Sequence, residues 1–226
     1  MFILGRSLVL SPRPKLTVSN QDFHTVAEYT TYAQTVLSSV RDRNKVTFDE
    51  NGFVSKLEDH FPEISQVRVE LPVFSEQPII TLNISEPSFL LSSDGLNYIV
   101  SQKGRVVARA SELPKLNHFV VVTDQTGFST KLGAQVLSAS DVSFINTLVA
   151  QAKHAKVPIS SLSLPPKPQE LDLRTSDQPY FVKFYLSGDS LDEIGQFLVA
   201  RTHFLKTKQP PSKYLDVRVP GKIYYK

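Results

Sequence analysis

Cysteine and tryptophan are absent from the 226 residues, and methionine occurs once. Without thiols there is no disulfide framework, no thiolate nucleophile and no cysteine-ligated zinc or iron–sulfur centre. This absence does not fix a compartment. Glycine is scarce, at 9 residues, and phosphate-cradling loops are built on glycine, which argues against a nucleotide enzyme. No Walker A loop, G-x-G-x-x-G, G-x-S-x-G or S-x-x-K motif occurs. His24, His60, His118, His154 and His203 never recur at i+2 to i+5, so no zinc-ligand spacing exists. Charge of one sign is also lacking: 25 basic residues stand against 22 acidic ones, a net charge of +3. The basic residues fall in separate pairs (Arg41 with Arg43, Lys103 with Arg105, Lys206 with Lys208), which argues against nucleic acid as a partner. What is present is 41% hydrophobic residues, enough for packed cores, and 15 prolines.

No stretch approaches the roughly 18 apolar residues of a membrane span. Residues 1–10, MFILGRSLVL, are apolar except for Arg6 and Ser7. As a helix they rise only about 15 Å, and the positive charge lies inside the run rather than before it, unlike a signal peptide. Two readings stay open for residues 1–14: a flexible or strand-forming terminus, and the outer end of a membrane anchor. Pro12 and Pro14 end any helix there.

The spacing then predicts a β-α-α-β-β module over residues 15–87. Leu16 and Val18 alternate as a strand. Tyr29, Tyr32, Ala33, Val36, Leu37 and Val40 share one helical face, with Arg41 and Arg43 near its end. Asp49 is the expected N-cap of a second helix, whose stripe is Phe53, Val54, Leu57 and Phe61. Val67 and Val69, then Ile80, Leu82 and Ile84, alternate with polar residues as strands. Glu86-Pro87 marks the seam. Residues 88–226 read as a mixed, mainly antiparallel β domain with two helices, giving an α+β chain. Hairpin turns are expected at Ser93-Asp94-Gly95 and Lys103-Gly104, and a strand over 118–123. A helix begins near Ser140, with Phe144, Ile145, Leu148, Val149 and Ala152 inward. Strands follow over 170–174 and 180–186. A second helix starts at a Ser190–Glu193 capping box and buries Leu191, Ile194, Leu198 and Leu205. The chain closes on a strand with Leu215, Val217 and Val219, a Pro220-Gly221 turn and Ile223-Tyr224-Tyr225. Leu171–Arg174 (LDLR) echoes Leu215–Arg218 (LDVR), which suggests a β-α-β repeat with the two strands side by side.

The acidic groups carry no evident chemistry. Asp49-Glu50-Asn51-Gly52 lacks the remaining ligands of a calcium loop, and the adjacent pairs Glu58-Asp59 and Asp192-Glu193 face different directions on their helices. Ser187-Gly188-Asp189-Ser190 reads as a strand-to-helix connection and cap.

Taken in order, VSKLEDHFPEISQVRVELP (54–72) and IITLNISEP (79–87) resemble a POTRA domain, in particular that of the bacterial cell division family FtsQ, also called DivIB. Phe61-Pro62-Glu63 stands where that family has P-W. The early D-G and K-G hairpins and the ending LDVRVPGKIYY (215–225) resemble the family's β domain, so the resemblance spans residues 15–226. It implies a non-enzymatic divisome scaffold without cofactors. Such a scaffold sits on the outer face of the cytoplasmic membrane at the septum and is held by a single span, of which residues 1–10 would be the remnant. It would bind FtsB/DivIC-like and FtsL-like membrane proteins and help regulate septal peptidoglycan synthesis. The implied partner site is strand addition along Arg218, Val219, Pro220, Gly221, Lys222, Ile223, Tyr224 and Tyr225. Tyr224 and Tyr225 would supply contact area, and Arg218 would pair with an acid on the partner. The alternative is a POTRA-bearing polypeptide-transport or chaperone component of the cell envelope.

Overall fold

The computed structural model describes residues 8–39, 43–116 and 118–226. The fold is α+β, and the chain divides into two compact units, Met1–Glu86 and Pro87–Lys226. The anchor reading of residues 1–7, and Val40 and Arg41 at the end of the first helix, lie outside the described residues.

The first unit runs β1 (Lys15–Val18), α1 (Val26–Leu37), α2 (Glu50–His60), β2 (Ile64–Glu70) and β3 (Ile79–Ile84). Its sheet has the order β1-β3-β2, with β1 parallel and β2 antiparallel to the central β3. α1 starts in a capping box in which Thr25 and Glu28 satisfy each other's free backbone donors. Asp49 caps α2 by accepting the Gly52 N–H at 3.0 Å. Pro62 stops α2, since it has no N–H to continue the ladder. Tyr29, Ala33, Leu37, Phe53, Leu57, Ile80 and Leu82 form the buried set. Val67 and Val69 are only half-buried, because β2 is an edge strand. One carboxylate is sealed inside: Glu63 accepts from the Tyr29 hydroxyl at 2.8 Å and lies 2.7 Å from His24 Nδ1. α1 ends at Leu37 with Ser38 as its C-cap. Arg43 therefore lies beyond the helix, where its carbonyl accepts the Leu10 N–H at 2.8 Å.

The second unit contains β4 (Pro87–Ser93), β5 (Leu96–Ser101), β6 (Val106–Arg109), β7 (Val121–Asp124), α3 (Ala139–His154) and β8 (Ile159–Leu164). It continues with β9 (Glu170–Thr175), β10 (Phe181–Tyr185), α4 (Ser190–Thr207), β11 (Tyr214–Val219) and β12 (Lys222–Tyr225). These strands form one sheet in the order β12-β11-β10-β9-β8-β7-β4-β5-β6. The pairs β4/β7, β7/β8 and β10/β11 are parallel and the others antiparallel. Parallel neighbours need a crossover, and α3 and α4 supply one each, between β7 and β8 and between β10 and β11. Both helices pack into a single core with Leu162, Leu173, Val182, Phe184, Leu215 and Val217. Asp94 and Gly95 take φ of 50° and 76°, the left-handed pair that a two-residue β4–β5 hairpin requires.

Four expectations need correction. β7 begins at Val121 rather than at 118, after two short 3₁₀ turns over 110–112 and 114–116. β8, with the sequence ISSLSL, is a strand that was not expected between the helix begun near Ser140 and the strand over 170–174. α4 is capped by Asp189, not Ser190: its carboxylate accepts the N–H groups of Leu191 and Asp192 at 2.9 and 3.0 Å. Glu193 is thereby free to turn inward and accept the Tyr185 N–H at 2.8 Å. The buried face of α4 is then Glu193, Ile194, Phe197, Ala200, Arg201 and Phe204, leaving Leu191 and Leu205 exposed. Finally, the two echoing strands β9 and β11 are not adjacent, since β10 lies between them.

Candidate functional site: the C-terminal edge strand

β12 is a terminal strand at the end of the nine-stranded sheet. Pro220 and Gly221 make the turn that returns the chain along β11, with Gly221 at φ 71°, as the second central residue of a type II turn requires. The pairing starts at Val219 with Lys222, shifts by a bulge, and continues with Asp216 opposite Tyr224 and Leu215 opposite Tyr225. Lys226 and Tyr214 exchange both backbone bonds, at 3.1 and 3.3 Å. Hydrogen-bonded and non-hydrogen-bonded pairs alternate along an antiparallel ladder. Tyr224 therefore turns its N–H and C=O towards β11, whereas Ile223 and Tyr225 turn theirs to the open edge.

The opposite end of the sheet is covered at the start of its edge strand. Beside β6, Val106 donates its N–H to the Ala134 carbonyl at 2.9 Å and accepts the Gly133 N–H at 2.8 Å, and Arg105 bridges Gln135. An unpaired edge is a template for another strand, and within this sheet β12 presents it.

Side chains on β12 alternate. Ile223 packs against the core, and the Tyr225 ring meets Phe204 of α4 edge to face at 5.3 Å. Tyr224 follows Asp216 to the other face and is exposed. That face carries a charged ladder: Lys183 on β10 is in register with Asp172 on one side and Asp216 on the other. The next row sets Phe181 between Arg174 and Tyr214, with the Arg174 guanidinium 5.0 Å from the Phe181 ring centre. The echoing aspartates of LDLR and LDVR thus serve as the two neighbours of one lysine.

Arg218 does not stand ready for a partner's acid. Its Nε and Nη2 donate to the two Asp216 oxygens at 2.9 and 2.6 Å, and Nη1 donates to Glu170 Oε2 at 2.6 Å. Glu170 is buried and is also held by Lys183 at 3.2 Å. Burial alone would raise the Asp216 carboxyl, but the Arg218 hydrogen bonds and charge outweigh it and hold the group below the usual carboxylate range. The same hydrogen bonding pushes Arg218 above its ordinary value. Asp172 lacks such a clamp; burial, reinforced by the Glu170 charge, raises it to about 6. Val219, Lys222 and the Pro220-Gly221 turn are exposed beside the edge.

A cleft of about 560 Å³ lies elsewhere in the second unit, between residues 124–137 and 164–170. Leu91, Val136, Leu164, Pro166 and Leu186 line it, with Asp124 and Glu170 among its polar groups. Both carboxylates are occupied, Asp124 by Ser93 and Thr126 and Glu170 by Lys183 and Arg218. Among the described residues no group of three or more histidines and carboxylates is arranged to hold a metal ion, and no helix is long and apolar enough to cross a membrane. No protein-family model matches the sequence, and a search of curated proteins finds no significant relative.

Proposed function

We propose that this protein is a non-enzymatic interaction scaffold of the FtsQ/DivIB kind. It acts on the outer face of the cytoplasmic membrane and takes up a strand of an FtsB/DivIC-like protein beside β12, with an FtsL-like protein in the same assembly. In this role it helps to regulate septal peptidoglycan synthesis. The observation that carries the reading is the edge of the nine-stranded sheet at β12, which exposes the backbone groups of Ile223 and Tyr225, whereas residues 133–137 cover the β6 edge at Val106. The order β-α-α-β-β of the first unit and the LDVRVPGKIYY ending support it further, since both resemble that family. Tyr224 provides aromatic area beside the incoming strand.

The test is isothermal titration of the chain with the C-terminal region of an FtsB-like protein, using Ile223→Pro as the variant. Proline is tolerated on an edge strand where the missing N–H faces outward, so the variant still folds, with a melt lowered by the Ile223 packing that it loses. It loses an outward donor and places a ring where the added strand must lie, so binding falls sharply. Equal affinity for parent and folded variant would remove β12 as the site.

A further inference from the structure

The parallel strands β7 and β8 begin beside the last turn of α3, and a groove of about 560 Å³ lies where the three meet. Its apolar lining is Val120 and Val121 at the start of β7, Val149 on α3, and Val157 and Ile159 leading into β8. Val121 is 41% exposed, so part of this lining stands in water. Lys153 and Lys156 line the same groove, and no carboxylate does. A Schellman turn at the end of α3 sets the two lysines. The Val157 N–H donates to the Ala152 carbonyl at 2.9 Å and the Lys156 N–H to the Lys153 carbonyl at 3.0 Å, with Lys156 at φ 55°. The helix-end carbonyls are thus taken by backbone donors. Among the described residues neither lysine side chain has an ion pair or a hydrogen bond. The acids of the adjoining segments, Glu112 and Asp177, are paired with Arg109 and Arg201.

Three features select an occupant. Two ammonium groups on one groove, with no counter-ion lining it, favour an anion. A floor of branched aliphatic side chains favours a hydrocarbon body. The third feature is what the groove cannot do for a peptide. β7 is paired with β4 and β8, and β8 with β7 and β9, so neither strand has a free edge here. A peptide laid on these valines would bury N–H and C=O groups without partners, which is costly. An alkyl chain carries no such groups. The volume also lies in the range of small-molecule sites, about 300–1,000 Å³.

We propose that this groove binds a small anionic amphiphile, an alkyl carboxylate whose chain lies on the valines and Ile159 and whose head is held by Lys153 and Lys156. The proposal is independent of any partner at β12. The test is methyl NMR of the full chain, labelled at valine and isoleucine, with decanoate kept below its micelle concentration. Decanoate should shift the methyl signals of Val121, Val149, Val157 and Ile159 saturably. Dodecanoate should bind about four- to sixteenfold more tightly, because two more methylenes are buried. The Lys153→Gln/Lys156→Asn variant should bind decanoate about fivefold more weakly and decanol, the uncharged analogue, as well as the parent does. Asparagine suits the left-handed position, and the variant's unliganded methyl spectrum checks that it folds. Absence of a saturable shift overturns the proposal, as does equal affinity of parent and variant for decanoate. Decyltrimethylammonium binding as tightly as decanoate overturns it too, since the lysines would then select nothing. Equal shifts with acetate also overturn it and would leave a site for simple anions. Shifts at the same methyls on raising the protein concentration alone would overturn it by making the groove a contact between copies of this chain.

Discussion

Arg218 shows how one side chain can look like a binding group in sequence and be committed internally in the fold. Its guanidinium satisfies Asp216 and the buried Glu170 together. Reversing it to glutamate adds a fourth carboxylate to Asp172, Asp216 and Glu170 around Lys183, so we expect a stability loss of about 1.5–3 kcal/mol, the range for hydrogen bonds to charged groups. Chemical denaturation measures it; an unchanged midpoint would mean that the cluster contributes nothing. Glu193 makes a different prediction. Burial pushes its carboxyl up to about 7, with the nearby Asp216 charge adding to the effect. An unfolded glutamate titrates near about 4.3, so the folded chain holds this proton more tightly. Stability from this group is present at low pH and is lost as pH rises from that value through about 7. Glu193→Gln keeps an acceptor for the Tyr185 N–H and does not ionise. Its melting temperature relative to the parent should climb between about pH 5 and pH 8, and parallel curves would contradict the assignment. Asp177 works the other way: hydrogen bonds from Arg201 lower it, and its contribution disappears in acid.

Among the elements, β12 carries the sharpest contrast. Tyr225 lies on Phe204 of α4 while its neighbour Tyr224 points to the opposite, charged face. Tyr225→Ala should lower the melting temperature by removing an aromatic pair and its buried area, with a secondary effect on binding. Tyr224→Ala should leave the melt intact and weaken the partner titration. Identical behaviour of the two variants would mean that the strand does not alternate as described. This alternation was legible in the sequence, as were the β-α-α-β-β order, the cap at Asp49, the helix start near Ser140 and the closing hairpin, because each rests on local periodicity or turn chemistry. The α4 face was not legible. Its buried stripe contains Glu193 and Arg201, which hydropathy assigns to water. Arg201 is stabilised there by Asp177, 24 residues away, to which its Nη1 donates at 3.2 Å. Of the expected stripe, Ile194 is buried and Leu198 packs against the core, whereas Leu191 and Leu205 face outward. β8 was missed because ISSLSL offers only Leu162 and Leu164 as an alternating pair, and its strand state comes from neighbours on both sides. The engagement of Arg218 with Glu170 spans 48 residues and leaves no local trace.

For the whole molecule, the two units have cores of their own. Leu57 is fully buried in the first, and Leu57→Ala should destabilise that unit by about 2–5 kcal/mol, the range for a leucine removed from a packed core. The second unit's titration with a partner peptide should be unaffected. A loss of binding in parallel with the first unit's melt would show that the units fold as one. The open edge at β12 has a bearing on self-association as well. Two copies that meet β12 to β12 do so around a two-fold axis, and that contact uses up the open strand of each copy as it forms.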